Sequence, residues 1–169
     1  MTKHKNIVLV GFMGSGKTTV GKVLAHTLGY HFIDTDHLVV QNEKQNIPFI
    51  FETKGEAYFR KAETTALGQA IIQEDCVIAT GGGIVTIPEN QELLGQGVVV
   101  YLEASAGQIY ENVKDDRSRP LLREKDVYGK ICTMLEHRHG LYKQVANLTV
   151  KVDKKTPEDI CKLILSNLK

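Results

Sequence analysis

The sequence predicts an α/β fold of three layers, in which a five-stranded parallel β-sheet is flanked by helices. Short runs rich in β-branched residues alternate with longer segments of helical periodicity, as in sheets whose crossovers are helices. The chain has 169 residues, of which 42% are hydrophobic, enough for a core of ordinary size. The five strands are expected at 6–10, 31–33, 76–80, 98–103 and 148–152.

The first helix is expected at 17–28, between the first two strands. Helical spacing places one set of side chains on a common face: Val20, Val23, Leu24, Thr27 and Leu28. Gly29 follows where a C-terminal cap is expected. The basic and apolar residues before this helix imitate a signal peptide, but no small-residue cleavage site follows, so we assign them to the first strand.

The last helix is expected to start at Thr156, whose hydroxyl can cap it, with Pro157 in the first helical position. Acidic residues in the first turn favour the positive end of the helix dipole. The predicted buried stripe consists of Ile160, Leu163, Ile164 and Leu168.

Charge and cysteine content limit the possible partners. Lys and Arg total 21 and Asp and Glu total 20, so no bulk field attracts nucleic acid or membrane. The apolar runs are shorter than the roughly 20 residues of a membrane span. Cys76, Cys132 and Cys161 are far apart and odd in number, as expected for buried thiols in a reducing cytoplasm. We therefore expect a cytoplasmic protein that binds small molecules rather than nucleic acid or membrane, and we expect it to be a monomer, although none of these patterns reveals the oligomeric state.

Arginine is scarce and unevenly distributed. The segment 114–126, KDDRSRPLLREKD, has nine charged residues among thirteen and contains Arg117, Arg119 and Arg123. A solvated loop explains its charge, whereas a mobile lid that closes over a ligand also explains its arginines. The other two arginines, Arg60 and Arg138, lie in predicted helices.

Residues 11–18, GFMGSGKT, match the phosphate-binding pattern GxxxxGK[ST] and lie between a strand and a helix, as that pattern requires. Glycines let backbone N–H groups approach a polyphosphate, and the helix N-terminus adds partial positive charge. Lys17 can bridge the terminal phosphates, and the Thr18 hydroxyl can bind Mg²⁺. ATP or GTP with Mg²⁺ is the implied ligand, although the DxxG and NKxD motifs of GTPase switches are missing at plausible positions.

Two carboxylates, Asp34 and Asp36, follow the second strand at the sheet edge where such folds bind ligands. One can support the metal and the other can orient or deprotonate an acceptor hydroxyl. Glu103, which ends the fourth strand, is a weaker candidate for the metal role. On a helix, His137 and His139 would point to different faces, so we do not expect them to share a metal.

Three consecutive glycines, Gly81, Gly82 and Gly83, follow the third strand. Such a run costs backbone entropy, which favours a close backbone approach to a ligand over a simple turn. Arg60 and Arg138 could form a clamp for an anionic acceptor beside it.

These motifs resemble those of the shikimate kinases, enzymes of the P-loop nucleoside-monophosphate-kinase-like fold. The matching stretches run from GFMGSGKTTVGKVLA through FIDTD, IFETKGEAYFRKAE, ATGGGIV, VVYL, SRPLL and HRHGLYKQVA to KKTPEDI, nearly the whole chain. The resemblance implies ATP-dependent phosphorylation of the shikimate 3-hydroxyl, a transferase step in chorismate and aromatic amino acid biosynthesis. It also implies one domain over 1–169, with a lid at about 112–126 and a shikimate-binding helical region at about 36–62.

On the nucleotide side, the resemblance implies that the ATP phosphates are held by Gly14, Ser15, Gly16, Lys17, Thr18 and Thr19. Thr18 would bind Mg²⁺, with Asp34 supporting it through water. Lys17 and Arg119 would act as catalytic groups by neutralising charge on the transferred phosphate, and Arg119 would close onto ATP. Lys155 would lie beside the adenine.

On the acceptor side, the resemblance implies that Asp36 contacts the shikimate hydroxyls and acts as the base or the orienting group. Arg60 and Arg138 would bind the carboxylate, and Gly81, Gly82 and Gly83 would line the ring pocket. Two alternatives remain: a kinase of the same fold for gluconate or a nucleoside monophosphate, and a nucleotide-binding regulatory module without turnover. The arginine clamp favours a carboxylate acceptor, and the paired aspartates disfavour a module without turnover.

Overall fold

A computed structural model describes residues 5–116 and 125–168 of the chain. Its strands are β1 (Ile7–Val10), β2 (His31–Asp34), β3 (Cys76–Ala79), β4 (Val98–Glu103) and β5 (Leu148–Lys151). They form one sheet in the order β2-β3-β1-β4-β5, and every neighbouring pair is parallel. The predicted α/β fold is confirmed, with strand ends that differ from the expected ones by at most one residue.

Helices connect the strands. Among the described residues they are α1 (Lys17–Leu28), α2 (Thr35–Glu43), α3 (Ile47–Lys54), α4 (Glu56–Ile71), α5 (Pro88–Leu94), α6 (Ala106–Val113), α7 (Val127–Val145) and α8 (Pro157–Asn167). A 3₁₀ turn at Ile84–Thr86 precedes α5. No helix in the described ranges is long and apolar enough to cross a membrane.

Helix α1 begins and ends where the sequence predicts, and Gly29 caps it with φ +70°. The prediction that Thr27 shares the buried face is wrong: Thr27 is exposed, and its hydroxyl donates to the Val23 carbonyl at 2.9 Å. A threonine can satisfy its hydroxyl within its own helix in this way, which lets it remain in water. The buried positions of α1 are Lys17, Val20, Gly21, Leu24 and Ala25.

Helix α8 is capped as predicted, because the Thr156 hydroxyl accepts from the Asp159 N–H at 3.1 Å. The predicted stripe is wrong at two positions, since Leu163 is 38% and Leu168 is 36% exposed. Leu168 lies just beyond the last helical residue. Because α8 packs on α1, Cys161 is buried in place of Leu163 and its thiol donates to a carbonyl of α1 at 3.5 Å.

The main core surrounds the central strands β1, β3 and β4. A second, smaller cluster lies under α2, α3 and α4 and consists of Val39, Ile50, Phe59 and Ala66. All three cysteines are free, and Cys76 and Cys161 are buried as predicted. Cys132 is only half-buried on α7, contrary to the prediction, because it lines a surface cavity together with Glu103 and His139.

Candidate active site

The segment between β1 and α1 forms a cradle for an anion. Gly14 (φ +75°) and Gly16 (φ +94°) adopt left-handed conformations that favour glycine. Helix α1 follows without a side-chain cap from any described residue, so its first amides remain directed at the cavity in front of it. That cavity has about 190 Å³ and is lined by Met13, Gly14, Gly16, Lys17, Thr18, Thr19, Asp34, Asp36, Thr80, Gly81 and Gly82.

Two buried polar groups of the cradle suit a phosphate. The Lys17 ammonium, in a residue only 8% exposed, donates to the carbonyls of Gly11 at 2.6 Å and Phe12 at 2.9 Å. The buried Ser15 hydroxyl has no hydrogen-bond partner among the described residues. A buried hydroxyl without a partner is costly, and a phosphate oxygen would satisfy it.

Asp34 and Thr18 form an oxygen pair beside this cradle. Asp34 caps α2, because its Oδ1 accepts from the N–H groups of Asp36 at 2.9 Å and His37 at 3.4 Å. Its other oxygen accepts from the Thr18 hydroxyl at 3.3 Å. A hydroxyl and a carboxylate fit Mg²⁺, which prefers oxygen ligands and retains several waters.

A second cavity, of about 430 Å³, adjoins the cradle. Asp36, Gly81 and Gly82 line both cavities. The structure therefore brings every predicted acceptor residue to one place: Asp36, Arg60, Gly81, Gly82, Gly83 and Arg138. Apolar walls are added by Met13, Ile47, Phe51, Phe59 and Met134. The cavity thus combines apolar walls with charged groups at defined points, a composition typical of small-molecule sites.

Arg60 is held by carboxylates on its own helix, α4. Its guanidinium donates to Glu63 at 2.9 Å and lies 3.4 Å from Glu56, with its carbon 5.3 Å from the centre of the Phe59 ring. Glu63 is 1% exposed, and burial raises the pKa of its carboxyl although the charge of Arg60 opposes this. Our sequence reasoning missed Glu63, and its spacing of three residues from Arg60 on a predicted helix was the available signal.

The glycine run leaves room for these charged side chains. A Cβ on Gly81 would lie 2.5 Å from Glu63 Oε2 and 2.9 Å from Asp36 Oδ1. One on Gly83 would lie 2.5 Å from the Arg60 nitrogens. The groups that closely approach Gly81 and Gly83 are thus side chains of the pocket itself, and the predicted close approach to a ligand stays a prediction.

Arg138 enters the same cavity from α7. Its guanidinium carbon lies 5.8 Å from the centre of the Phe12 ring, and its Nη1 would be 3.6 Å from a Cβ on Gly82. Tyr142, one helical turn further along α7, is fully buried and donates its hydroxyl to the Gly82 carbonyl. Our sequence reasoning missed Tyr142, which the four-residue spacing from Arg138 could have indicated.

Two sets of candidate residues remain: the arginines of segment 114–126 and Lys155. Arg117, Arg119 and Arg123 lie outside the described residues. The exposed Lys155 donates to the Lys151 carbonyl at 2.9 Å and lines neither cavity.

Glu103 also lines neither cavity. Its carboxylate lies 3.6 Å from His139 Nε2, on the side of the sheet covered by α7. His137 and His139 both lie on α7, as expected, and His137 is exposed. Glu103 therefore lies away from the oxygen pair of Thr18 and Asp34, and its position does not support it as the alternative metal ligand.

Comparison with known proteins agrees with this geometry. The shikimate kinase family model matches residues 13–169. A shikimate kinase from Sulfurihydrogenibium sp. is 43% identical over 166 residues, which cover 98% of each protein. The structure of shikimate kinase from Acinetobacter baumannii in complex with shikimate is similar with a TM-score of 0.95 and 38% identity, covering 98% of this chain and 93% of that one.

A gluconokinase from Sinorhizobium meliloti is also similar, with a TM-score of 0.67 and coverage of 97% of this chain and 91% of that one. At 21% identity, this likeness concerns the fold alone. The full-length match to shikimate kinases is much closer in sequence, and the family model includes the cradle from residue 13 onward, the glycine run and both pocket arginines. The chain therefore belongs to the shikimate kinase family.

Proposed function

We propose that this chain transfers the γ-phosphoryl group of ATP to the 3-hydroxyl of shikimate, a step toward chorismate and the aromatic amino acids. One observation carries the proposal: the phosphate cradle opens into a second cavity that contains two arginines, and Asp36 lies where the two meet. That juxtaposition suits an anionic acceptor whose hydroxyl must reach the terminal phosphate. The membership in the shikimate kinase family supports shikimate as this acceptor.

On the nucleotide side, Gly14, Gly16 and Thr19 contribute backbone amides to the ATP phosphates, together with Ser15. Lys17 and Arg119 stabilise the negative charge of the transferred group. Mg²⁺, held by Thr18 and through water by Asp34, supplies charge neutralisation when it is bound. Lys155 lies beside the adenine. The oxygen pair and the buried Ser15 hydroxyl support this assignment.

On the acceptor side, Arg60 and Arg138 bind the shikimate carboxylate, and the glycine run lines its ring. Asp36 orients the 3-hydroxyl and accepts its proton. The hydroxyl oxygen bonds to the γ-phosphorus while the bond from that phosphorus to the bridging oxygen breaks. The products are shikimate 3-phosphate and ADP.

The remaining predictions concern organisation. We propose one domain, with a lid at about 112–126 and an acceptor-binding region at about 36–62, which contains α2, α3 and the start of α4. We also propose a monomer in the cytoplasm, and the free cysteines are consistent with that compartment. Light scattering coupled to size exclusion tests the monomer.

The decisive experiment measures ADP release with Mg·ATP in the presence of shikimate, gluconate or a nucleoside monophosphate. We expect release that depends on shikimate and saturates with it, together with formation of shikimate 3-phosphate. Turnover on another acceptor without turnover on shikimate would contradict the proposal. Nucleotide binding without turnover on any acceptor would favour the regulatory module.

A further inference from the structure

Tyr142 connects two parts of the acceptor pocket that are distant in sequence. Its side chain is fully buried in α7, and its hydroxyl donates to the carbonyl of Gly82, sixty residues earlier in the chain. Gly82 belongs to the glycine run that lines both cavities. Tyr142 itself lines neither of them, so it affects a ligand only through its neighbours.

Arg138 is the second neighbour of this hydroxyl. It precedes Tyr142 by four residues on α7, which places both side chains on one face. Burial raises the pKa of Tyr142 to about 12, while the charge of Arg138 and its hydrogen bond to the hydroxyl act to lower it. At neutral pH the hydroxyl therefore keeps its proton and can donate to Gly82.

The direction of the hydrogen bonds follows from the groups involved. A guanidinium can only donate and a carbonyl can only accept. The Tyr142 hydroxyl can do both, and it donates its proton to Gly82, which leaves its oxygen lone pairs available to the Arg138 guanidinium on the same helix face. Tyr142 thus ties α7, which carries Arg138, to the Gly82 backbone, beside which the Arg138 guanidinium lies 3.6 Å from the position of a Cβ on Gly82.

The ring of Tyr142 is held separately from its hydroxyl. It stacks on the ring of Tyr101 with centroids 5.0 Å apart and an interplanar angle of 25°. Tyr101 is also buried, and its own hydroxyl lies 3.0 Å from His139 Nδ1, away from the pocket. Removing the hydroxyl of Tyr142 should therefore leave the ring seated, and Tyr101 provides a matched buried tyrosine without a contact to the site.

We propose that Tyr142 is a positioning residue that sets the separation between Arg138 and the Gly82 backbone so that both fit the acceptor carboxylate. The inference rests on the proposed function, since it names a residue that tunes the same acceptor site. It predicts a larger effect on the acceptor than on ATP, because Arg138 lines the acceptor cavity alone, whereas Gly82 lines both cavities.

The test compares Tyr142→Phe with Tyr101→Phe. We expect Tyr142→Phe to raise the KM for shikimate about tenfold, the equivalent of one buried hydrogen bond, with the KM for ATP unchanged within about twofold. Tyr101→Phe should leave both KM values within about twofold of the unmodified chain, although it also removes a buried hydroxyl. A purely structural role would move both KM values, or the melting temperature, to a similar extent in the two variants.

A double-mutant cycle with Arg138→Lys locates the effect. If Tyr142 acts through Arg138, the change in shikimate KM caused by Tyr142→Phe should fall below about twofold in the Arg138→Lys background. An unchanged shikimate KM in Tyr142→Phe, additive effects in the cycle, or a variant that melts below the assay temperature would each overturn the inference. Absence of shikimate turnover by the unmodified chain would instead overturn the proposed function, and the inference with it.

Discussion

The phosphate cradle and the acceptor pocket share one sheet edge but are built in opposite ways. The cradle is one continuous segment between β1 and α1, and it presents mainly backbone amides. The pocket draws side chains from α2, α3, α4, α7 and the glycine run. A cradle of this kind depends on local backbone conformation, whereas the pocket depends on how distant elements pack. Substitutions should therefore affect nucleotide and acceptor through different physical causes.

The largest effect is expected at Asp36, where the two regions meet. Asp36→Asn removes the group that accepts the proton, so kcat should fall by about 10²- to 10⁴-fold. The KM for ATP should change little, because Asp36 lies outside the segment between β1 and α1 that forms the cradle, although it lines the cavity in front of it. Steady-state kinetics check this, with Glu52→Gln, an exposed carboxylate on α3, as the control. A matching loss of ATP affinity would show that the two regions are not separable at this residue.

A loss of affinity for the acceptor, without a loss of affinity for ATP, is expected when Arg138 is substituted. Arg138→Lys keeps the charge but loses the planar, two-pronged geometry, so the KM for shikimate should rise at least about tenfold. His137→Gln, at the exposed neighbouring position on α7, is the control and should behave like the unmodified chain. An equal rise in the KM for ATP would contradict the division between the regions.

The cradle can be tested through a pair of glycines. Gly14 (φ +75°) and Gly29 (φ +70°) have similar backbone conformations, but a Cβ on Gly14 would lie 2.5 Å from Val113, while one on Gly29 would meet nothing within 4 Å. Gly29→Ala should lose about 1–2 kcal/mol of stability from its backbone conformation, and Gly14→Ala should lose more, because its Cβ must also displace Val113. Only Gly14→Ala should also raise the KM for ATP, by about tenfold.

Thermal melts and nucleotide titrations separate the two effects. A rise in the KM for ATP in Gly29→Ala would show that backbone strain alone, away from the cradle, disturbs nucleotide binding. An unchanged KM for ATP in Gly14→Ala would show that the cradle tolerates a shift of its backbone.

The smallest effect concerns pH and the buried carboxylate of Glu63. Because burial raises its pKa in the folded chain, the stability that this group contributes is present at low pH and is lost as pH rises above its ordinary value of 4.5. Glu63→Gln removes that dependence. Thermal melts at a series of pH values from below 4.5 upward should therefore show that the variant gains stability relative to the unmodified chain as pH rises. A constant difference would mean that Arg60 fully compensates the buried charge.

The elements that sequence reasoning placed well are those with local signals. The strands are predicted by short runs rich in β-branched residues, and α1 is predicted by apolar residues at helical spacing with a glycine after them. The buried face of α8 is predicted less well, because periodicity alone cannot show that Cys161, rather than Leu163, contacts α1. Such choices are decided by the neighbouring element.

The site divides in the same way. The cradle could be predicted from eight consecutive letters. Glu63 and Tyr142 have only a helical spacing from Arg60 and Arg138 as their sequence signal, because their contacts form only in the folded chain. The glycine run itself was identified as a point of close approach, but the approaching groups, Glu63 and Arg60, are set by tertiary packing.

The small apolar cluster under α2, α3 and α4 is separate from the main core, so these three helices, which we call the acceptor wall, should unfold locally as a unit of their own. Only a few apolar side chains are fully buried there, compared with the extensive core around the sheet. Local unfolding costs less where fewer apolar contacts are lost. The wall should therefore exchange its amide hydrogens sooner than β1, and a bound acceptor should slow that exchange by mass action. The molecule can thus open on the acceptor side while its phosphate cradle keeps its shape.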